Sequence, residues 1–527
     1  MKRLLFGIFC MLFCSAAQSA QIVNVEYIHK LIEQEHGITV PYNTGLHDPT
    51  VAANMKYLLT TIDVANQMLS GESITNYGNS EYATTVATDT VATLEMVRDH
   101  VRNYKFFATT TPDTTSFSFT ISASGVFHID WGDGTRESYR KTNTTATTYS
   151  HEYADAGEYV IKIGGYRTGG HSLSFANNLN LAKIDGSVGA IFSTIKNKNG
   201  SVSNPKFEGL FNGCTKLTGT IPQELFMGVY GTPVNYMFTS TFKNCSGLTG
   251  SIPEKLFSNI SGAPAHAMFY ETFNNCSGLN GDIPEKLFAG ISGTPAYGMF
   301  RSTFNGCSGL TGSIPENLFV NISGAPAYTM FYYTFMGCSG LTGSIPDKLF
   351  AGIYGQPNAN MYASTFAGCS GLTGNIPNKL FGDIYGNPAS SMFHNTFDNC
   401  SGLSGSIPAD LFGNLTGAPA YAMFHGTFNG CTGLTGEIPA GLFGNLSGNP
   451  ASYMFTGTFI NCKGLTGGIP DNLFGNLTNN FASYQFYRTF EGCTGLNGES
   501  AKMNGEYLYN IWPDATYAGR MYHGCTG

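Results

Sequence analysis

The sequence predicts a repeat solenoid of β-containing coils, 31 residues each, preceded by a small all-β sandwich and a short helical N-terminal region. Ten cysteines from Cys214 to Cys493 follow one another at intervals of 31 residues, without an insertion. Such regularity is typical of stacked repeats, because an inserted residue would shift every side chain in the stack. Upstream, apolar residues change from helical spacing to a period of two near Phe106.

Residues 1–20 have the composition of an export signal. Two basic residues, Lys2 and Arg3, follow Met1. The segment from Leu4 to Phe13 is apolar, and the segment from Ser15 to Ala20 is rich in small residues. The apolar run is about ten residues long, whereas a membrane span needs about 20. We therefore expect a secreted or cell-surface protein with no membrane span after signal removal; lipidation of Cys14 is the alternative.

Residues 21–105 are predicted to be a helical stalk or docking module. A helix is predicted to start at Pro49, with Asp48 as its N-cap residue. The apolar residues that follow have helical spacing as far as Gly71. Two more helices are expected over about 25–36 and 85–103. His29, Glu33 and His36 share one helical face in a spacing compatible with zinc, but a solvated polar face is the favoured interpretation. We expect no metal and no cofactor.

Residues 106–169 are predicted to form the β-sandwich. Phe117, Phe119 and Ile121 alternate with polar residues, and similar strands are expected near Phe127 and Val160. The turn Asp130-Trp131-Gly132-Asp133-Gly134-Thr135 and the later His151-Glu152-Tyr153 resemble the PKD-type immunoglobulin-like sandwich. The resemblance implies an extracellular spacer or interaction domain. We expect Asp130 and Asp133 to accept hydrogen bonds from their own turn rather than to bind calcium.

The repeats fill residues 212–497, between a loose N-terminal cap at 170–211 and a degenerate terminal repeat at 498–527. One unit contains Met299, Phe300, Thr303, Phe304 and Cys307, followed by a leucine, an Ile-Pro pair and a Leu-Phe pair. Apolar residues lie on every side of such a unit. A single unit cannot bury them alone, so neighbouring units must supply the rest of the core.

The string TFNNCSGLNGDIP, from Thr272 to Pro284, resembles the BspA-type family of bacterial leucine-rich repeat surface proteins. The string LTGSIP, from Leu248 to Pro253, is similar to plant-type extracellular leucine-rich repeats. The 31-residue period exceeds the 20–29 residues usual for leucine-rich repeats. The resemblance implies an exported bacterial surface or secreted protein that acts as an adhesin or binding scaffold.

The repeat cysteines are expected to form a ladder of reduced, buried side chains. Removal of Cys10 and Cys14 with the signal would leave eleven cysteines of the thirteen, a number that does not pair completely. A partial set of disulfides and a metal site are the alternatives left open.

Composition excludes several functional classes. Only 12% of the residues are charged, the formal net charge is -8, and no basic cluster is present, which argues against nucleic acid as a partner. The sequence contains no G-x-S-x-G, HExxH or phosphate-loop motif, and we expect no enzymatic activity.

Recognition is expected at the two variable columns that follow the Met-Phe pair of each unit. Their aromatic and charged members are side chains typical of binding hot spots. The expected partner is a protein or glycan of a host or neighbouring cell; the alternative is a structural surface-layer or matrix component that self-associates without a specific ligand. The candidate residues are Tyr270, Glu271, Arg301, Tyr332, Tyr333, His394, His425, Tyr487 and Arg488.

Overall fold

The computed structural model describes residues 104–197, 200–412, 414–478, 480–500, 502–513 and 519–525. The predicted export signal, the predicted N-terminal helices and the His29, Glu33 and His36 spacing lie outside these residues. The described chain is mostly β with almost no helix. It divides into two compact regions: residues up to Ser172 with Ile184–Pro205 and Leu225–Val229, and Leu173–Lys183 with Lys206–Glu224 and Tyr230–Gly527.

Six strands form one hydrogen-bonded sheet in the order β3-β2-β5-β1-β6, and β4 also pairs with β2. The strands are β1 (Tyr104–Thr110), β2 (Thr114–Asp130), β3 (Arg136–Lys141), β4 (Thr147–Gly157), β5 (Val160–Ser174) and β6 (Leu181–Gly186). β2 is antiparallel to both β3 and β4, and β1 is antiparallel to β5. The strands expected near Phe117 and Phe127 are therefore one continuous strand.

The length of β2 lets it pair with two different strands within the one sheet. Its first half pairs with β4 and its second half with β3. Gly125 begins the second half, opposite Lys141, and a Cβ atom there would meet the Tyr166 carbonyl oxygen at 2.1 Å. Only glycine allows this close approach of β5, so the strand passes the point without a break.

The turn after β2 brings the two halves of the sequence motif together. Trp131 is fully buried, stacks on His151 with ring centroids 5.2 Å apart, and accepts a hydrogen bond on its carbonyl from the Tyr153 hydroxyl at 2.9 Å. Asp130 accepts from the Gly132 amide and Asp133 from the Thr135 amide. The prediction that these carboxylates bond to their own turn is confirmed.

The 31-residue units contact one another through parallel β-bridges rather than long strands. Bridges join Gly231 to Ile260 and Gly262 to Ile291, and the same pair of positions connects each later unit to the next. The remaining regular elements are short: α1 (Val188–Ile191), β7 (Ile195–Lys196), β8 (Val202–Ser203), β9 (Ser447–Gly448), β10 (Asn476–Leu477), β11 (Lys502–Met503), β12 (Glu506–Tyr507) and α2 (Leu508–Ile511).

The segment that carries the Met-Phe pair is a chain of consecutive β-turns, which we call the turn ribbon and define as residues 235–245 and their equivalents in each unit. Every second amide, from Tyr236 to Asn244, donates to a carbonyl 30 residues later at 2.7–2.9 Å. The amides between them donate three residues back, at 3.0–3.3 Å. Alternate amides thus join neighbouring units while the others close turns within the unit.

The turn ribbon buries residues in pairs. Met237, Phe238, Thr241, Phe242 and Cys245 are buried, whereas Ser240, Lys243 and Asn244 in the pairs between them are partly exposed. Equivalent phenylalanines stack on one another along the units; the Phe269 and Phe300 ring centroids, for example, are 5.8 Å apart and nearly parallel. The core of each unit is completed by its neighbours, as the apolar pattern predicted.

The ten repeat cysteines, Cys214 to Cys493, are buried and form no disulfide. Each donates its S–H to a phenylalanine carbonyl of the preceding unit; Cys276, for example, donates to Phe242 at 2.9 Å. Thr272 makes the matching bond to the Phe238 carbonyl at 3.0 Å. The predicted ladder of buried cysteines is confirmed, and it also supplies hydrogen bonds between units.

Candidate functional site

The outer pairs of the turn ribbons form one face, which we call the ribbon face. It contains all nine predicted binding residues, and each of them is partly exposed, neither buried nor fully solvated. Backbone hydrogen bonds fix the register of each turn ribbon on the next. The Glu271 amide, for example, donates to the Arg301 carbonyl at 2.9 Å. Side chains on this face therefore have fixed neighbours.

The first group on this face is the arginine cluster, formed by Tyr270, Arg301, Tyr332 and Tyr333. The Arg301 guanidinium carbon lies 5.1 Å from the Tyr270 ring centroid and 5.0 Å from that of Tyr332, one ring in each neighbouring unit. Tyr333 stacks on Tyr332 with centroids 3.8 Å apart. Each cation–π contact stabilises by about 0.5–2 kcal/mol, so the guanidinium is held in one place.

The second group is the histidine cluster, formed by His394, His425 and Tyr453. The two imidazoles stack with centroids 4.7 Å apart, and Tyr453 continues the stack at 6.3 Å from His425. Burial, together with the neighbouring His425, lowers the pKa of His394 to about 4. Burial also lowers the pKa of His425. Both rings are therefore neutral at pH 7, and they present ring edges rather than positive charge.

One unit separates the two clusters and carries small side chains at the equivalent positions, Ala363 and Ser364. The nine predicted residues are thus not one continuous strip. The structure brings four of them together in the arginine cluster and two in the histidine cluster, and Tyr487 contacts Tyr484 with ring centroids 5.3 Å apart.

Two of the predicted residues already have charged partners. Glu271 accepts from Lys243 at 2.6 Å and from the Ser240 hydroxyl at 3.1 Å. Arg488 pairs with Glu491, and the hydrogen bond from Arg488 lowers the pKa of that carboxyl. Lys243 neutralises Glu271, and Arg488 shares Glu491 with Arg520, so each of these two side chains has a charged partner and offers less to a ligand than Arg301 does.

The second predicted column has an unusual backbone. Its residues have positive φ in successive units, including Glu271 at 56°, Tyr333 at 62° and Arg488 at 60°, and Gly426 and Gly457 occupy the same column. A left-handed conformation costs a side-chain-bearing residue about 1–2 kcal/mol. The turn ribbon requires this conformation, so large side chains here are held at an energetic cost.

Sequence analysis missed the outer pair that precedes each Met-Phe pair. Its aromatic members form a second row, in which His266 stacks on Tyr297 at 4.5 Å and Tyr297 on Tyr328 at 5.4 Å. Tyr421, Tyr453 and Tyr484 continue it at the other end. The signal was present: the pattern M-F-x-x-T-F-x-x-C has a period of four, so the two residues before Met-Phe belong to the same face.

A surface groove of about 490 Å³ lies elsewhere, at the Ile-Pro corner of three successive units. Its polar lining includes Ser344, Asn375, Asn378 and Ser406, and Asp347 is its single ionisable side chain. One carboxyl group does not supply the paired acid and base that hydrolytic catalysis usually needs. The ribbon face therefore remains the better candidate site.

Comparison of the chain with protein-family models, with curated proteins and with solved structures found no match. Within the described residues, no helix combines the length and the apolar character needed to cross a bilayer.

Proposed function

We propose that the protein is an exported bacterial surface or secreted leucine-rich repeat protein of the BspA type, whose 31-residue units form a solenoid that acts as an adhesin or binding scaffold. The repeat motif around Thr272 and the bonds between successive turn ribbons support the solenoid. The contacts of Trp131 with His151 and Tyr153 support a PKD-like spacer before it.

The observation that carries the proposal is the fixed array of aromatic side chains on the ribbon face. Aromatic rings offer a large contact area at low entropic cost, and here stacking has already ordered them before a ligand arrives. Framework positions repeat in nearly every unit, whereas the outer pairs change from unit to unit. Variation on a constant framework is the arrangement expected of a recognition surface.

The test is binding of the purified full chain to immobilised extracellular-matrix proteins, mucins and glycans. Replacing Tyr270, Arg301, Tyr332, His394 and His425 together with serine should abolish saturable binding while the circular-dichroism spectrum stays the same. A matched five-serine control replaces exposed residues outside the ribbon face and should bind normally. The control positions are Lys286, Lys348, Tyr354, Lys379 and Tyr385.

Concentration-dependent self-association without binding to any immobilised molecule would instead support a structural surface-layer or matrix component. Equal loss of binding in both five-site variants would show that the ribbon face is not the site.

A further inference from the structure

Within the described residues, Arg301 is the one charged member of the predicted binding residues that has no charged partner. Among the described residues no carboxylate lies within 4.0 Å of its guanidinium, and its buried Nε has no hydrogen-bond partner. Arg488, the other arginine of these two columns, is paired with Glu491. Arg301 is thus a cation that the face orders but does not neutralise.

The neighbouring acidic residue does not remove this charge. The Glu271 backbone bonds to the Arg301 backbone, yet the Glu271 carboxylate is directed to Lys243 and Ser240 in the preceding unit. The rings of Tyr270 and Tyr332 cover the two flanks of the guanidinium. A partly desolvated arginine without a counter-charge binds an anion more strongly than a hydrated one, because less water must be displaced.

We infer that Arg301 is the anion-binding subsite of the ribbon face and that the ligand is an acidic glycan whose carboxylate pairs with this guanidinium. The inference rests on the proposed function. A carboxylate matches the planar fork of arginine and accepts two parallel hydrogen bonds from it. Holding the guanidinium between two rings before binding reduces the entropy lost when the pair forms.

The surroundings of Arg301 fit a sugar better than other anions. The adjacent row presents Tyr297 and Tyr328, which are 41% and 39% exposed, and their phenol hydroxyls can exchange hydrogen bonds with sugar hydroxyls. A nucleic acid requires many cations along its backbone, whereas the arginine cluster holds one.

The experiment measures binding of the full chain to an array of carboxylated glycans, each printed beside its carboxyl-reduced neutral counterpart, together with sulfated glycans and poly-glutamate. We expect the carboxylated members to bind at least about tenfold more tightly than their neutral counterparts. Arg301→Gln should remove this preference. Arg301→Lys should restore part of it, because the charge returns without the planar fork.

Lys348→Gln is the control, since it removes a cation outside the ribbon face whose charge is paired with Glu316 at 3.5 Å, and it should leave the preference unchanged. Thermal unfolding of each variant shows that the fold is intact. Equal binding of carboxylated and neutral glycans, or an undiminished preference in Arg301→Gln, would overturn the inference while leaving the proposed function in place. Binding only to poly-glutamate, or only to sulfated glycans, would overturn it in favour of another anion, and no binding to the array or to matrix proteins would overturn both.

Discussion

Tyr362 is the one tyrosine in a column of the core that phenylalanine fills in the neighbouring units. Its ring stacks on Phe331 at 5.8 Å and on Phe393 at 5.9 Å, as a phenylalanine would. The side chain is fully buried, and its hydroxyl has no hydrogen-bond partner among the described residues. We predict that Tyr362→Phe stabilises the protein.

The expected gain follows from removing one buried hydroxyl without changing the ring. Burying an unpaired hydroxyl costs about 1–3 kcal/mol by mutational measurements. The substitution leaves no large cavity, since the ring and its stacking contacts stay in place. The free energy of unfolding should therefore rise by about 1–3 kcal/mol. The reverse change one unit earlier, Phe331→Tyr, should lower it by a similar amount because Phe331 is equally buried.

Urea denaturation followed by circular dichroism measures both variants. Because an array of repeats does not always unfold in one step, hydrogen exchange of amides near residues 331, 362 and 393 should accompany it. An unchanged or lower stability of Tyr362→Phe, with the Phe331→Tyr variant destabilised as expected, would refute the reasoning. That result would mean that the Tyr362 hydroxyl has a partner in solution.

Three further predictions concern strain, protonation and thiol reactivity. Thr329 is buried at φ 53° and its hydroxyl is unpaired. Thr329→Gly, which copies Gly298 one unit earlier, should therefore raise the urea midpoint by the equivalent of about 1 kcal/mol. A lower midpoint would show that the lost side-chain contacts outweigh the relief of backbone strain. The pKa of His394 is lowered to about 4, whereas that of an unfolded histidine is about 6.5. Between pH 6.5 and pH 4 the unfolded chain therefore binds more protons than the folded chain, and the free energy of unfolding should fall by at most about 3 kcal/mol as the pH drops through this range. A double His394→Gln, His425→Gln variant should lose most of this dependence in urea titrations at pH 7 and pH 5. Burial raises the pKa of the repeat cysteines from Cys214 to Cys462, and all ten repeat cysteines are buried, so iodoacetamide at pH 8 should modify half-buried Cys525 first and these ten only after unfolding, as mass spectrometry would detect. Rapid labelling of the ten in the native chain would contradict their burial.

Strand and turn positions in the sheet region were only partly predictable. The period-two pattern located the apolar residues of β2, and the Asp-Gly turn located its end. The join between the two halves of β2 was missed, because Gly125 in a strand also indicates a bulge or a turn. Only the close approach of the Tyr166 carbonyl shows that the glycine is needed for packing.

At the candidate site, sequence analysis identified two variable columns but not their geometry. The stacking of His394 on His425 and the placement of Arg301 between two tyrosines depend on contacts between residues 31 positions apart. Which charges are neutralised is also a property of these contacts, since Glu271 pairs with Lys243, 28 residues earlier. A list of residue types in one column does not contain that information.

The sequence by itself determined the repeat length and the identity of the buried columns. These follow from composition and spacing, because every unit must bury the same apolar set against its neighbours. Only the tertiary structure decided the backbone that presents the face. Residues such as Tyr333 adopt positive φ because alternate amides of the turn ribbon must reach the next unit. The cysteine and threonine columns recur because their members, such as Cys276 and Thr272, donate to a backbone carbonyl of the preceding unit. Hydrogen bonds between residues about 30 positions apart, rather than local preference, therefore fix both the ribbon and the side chains that it exposes.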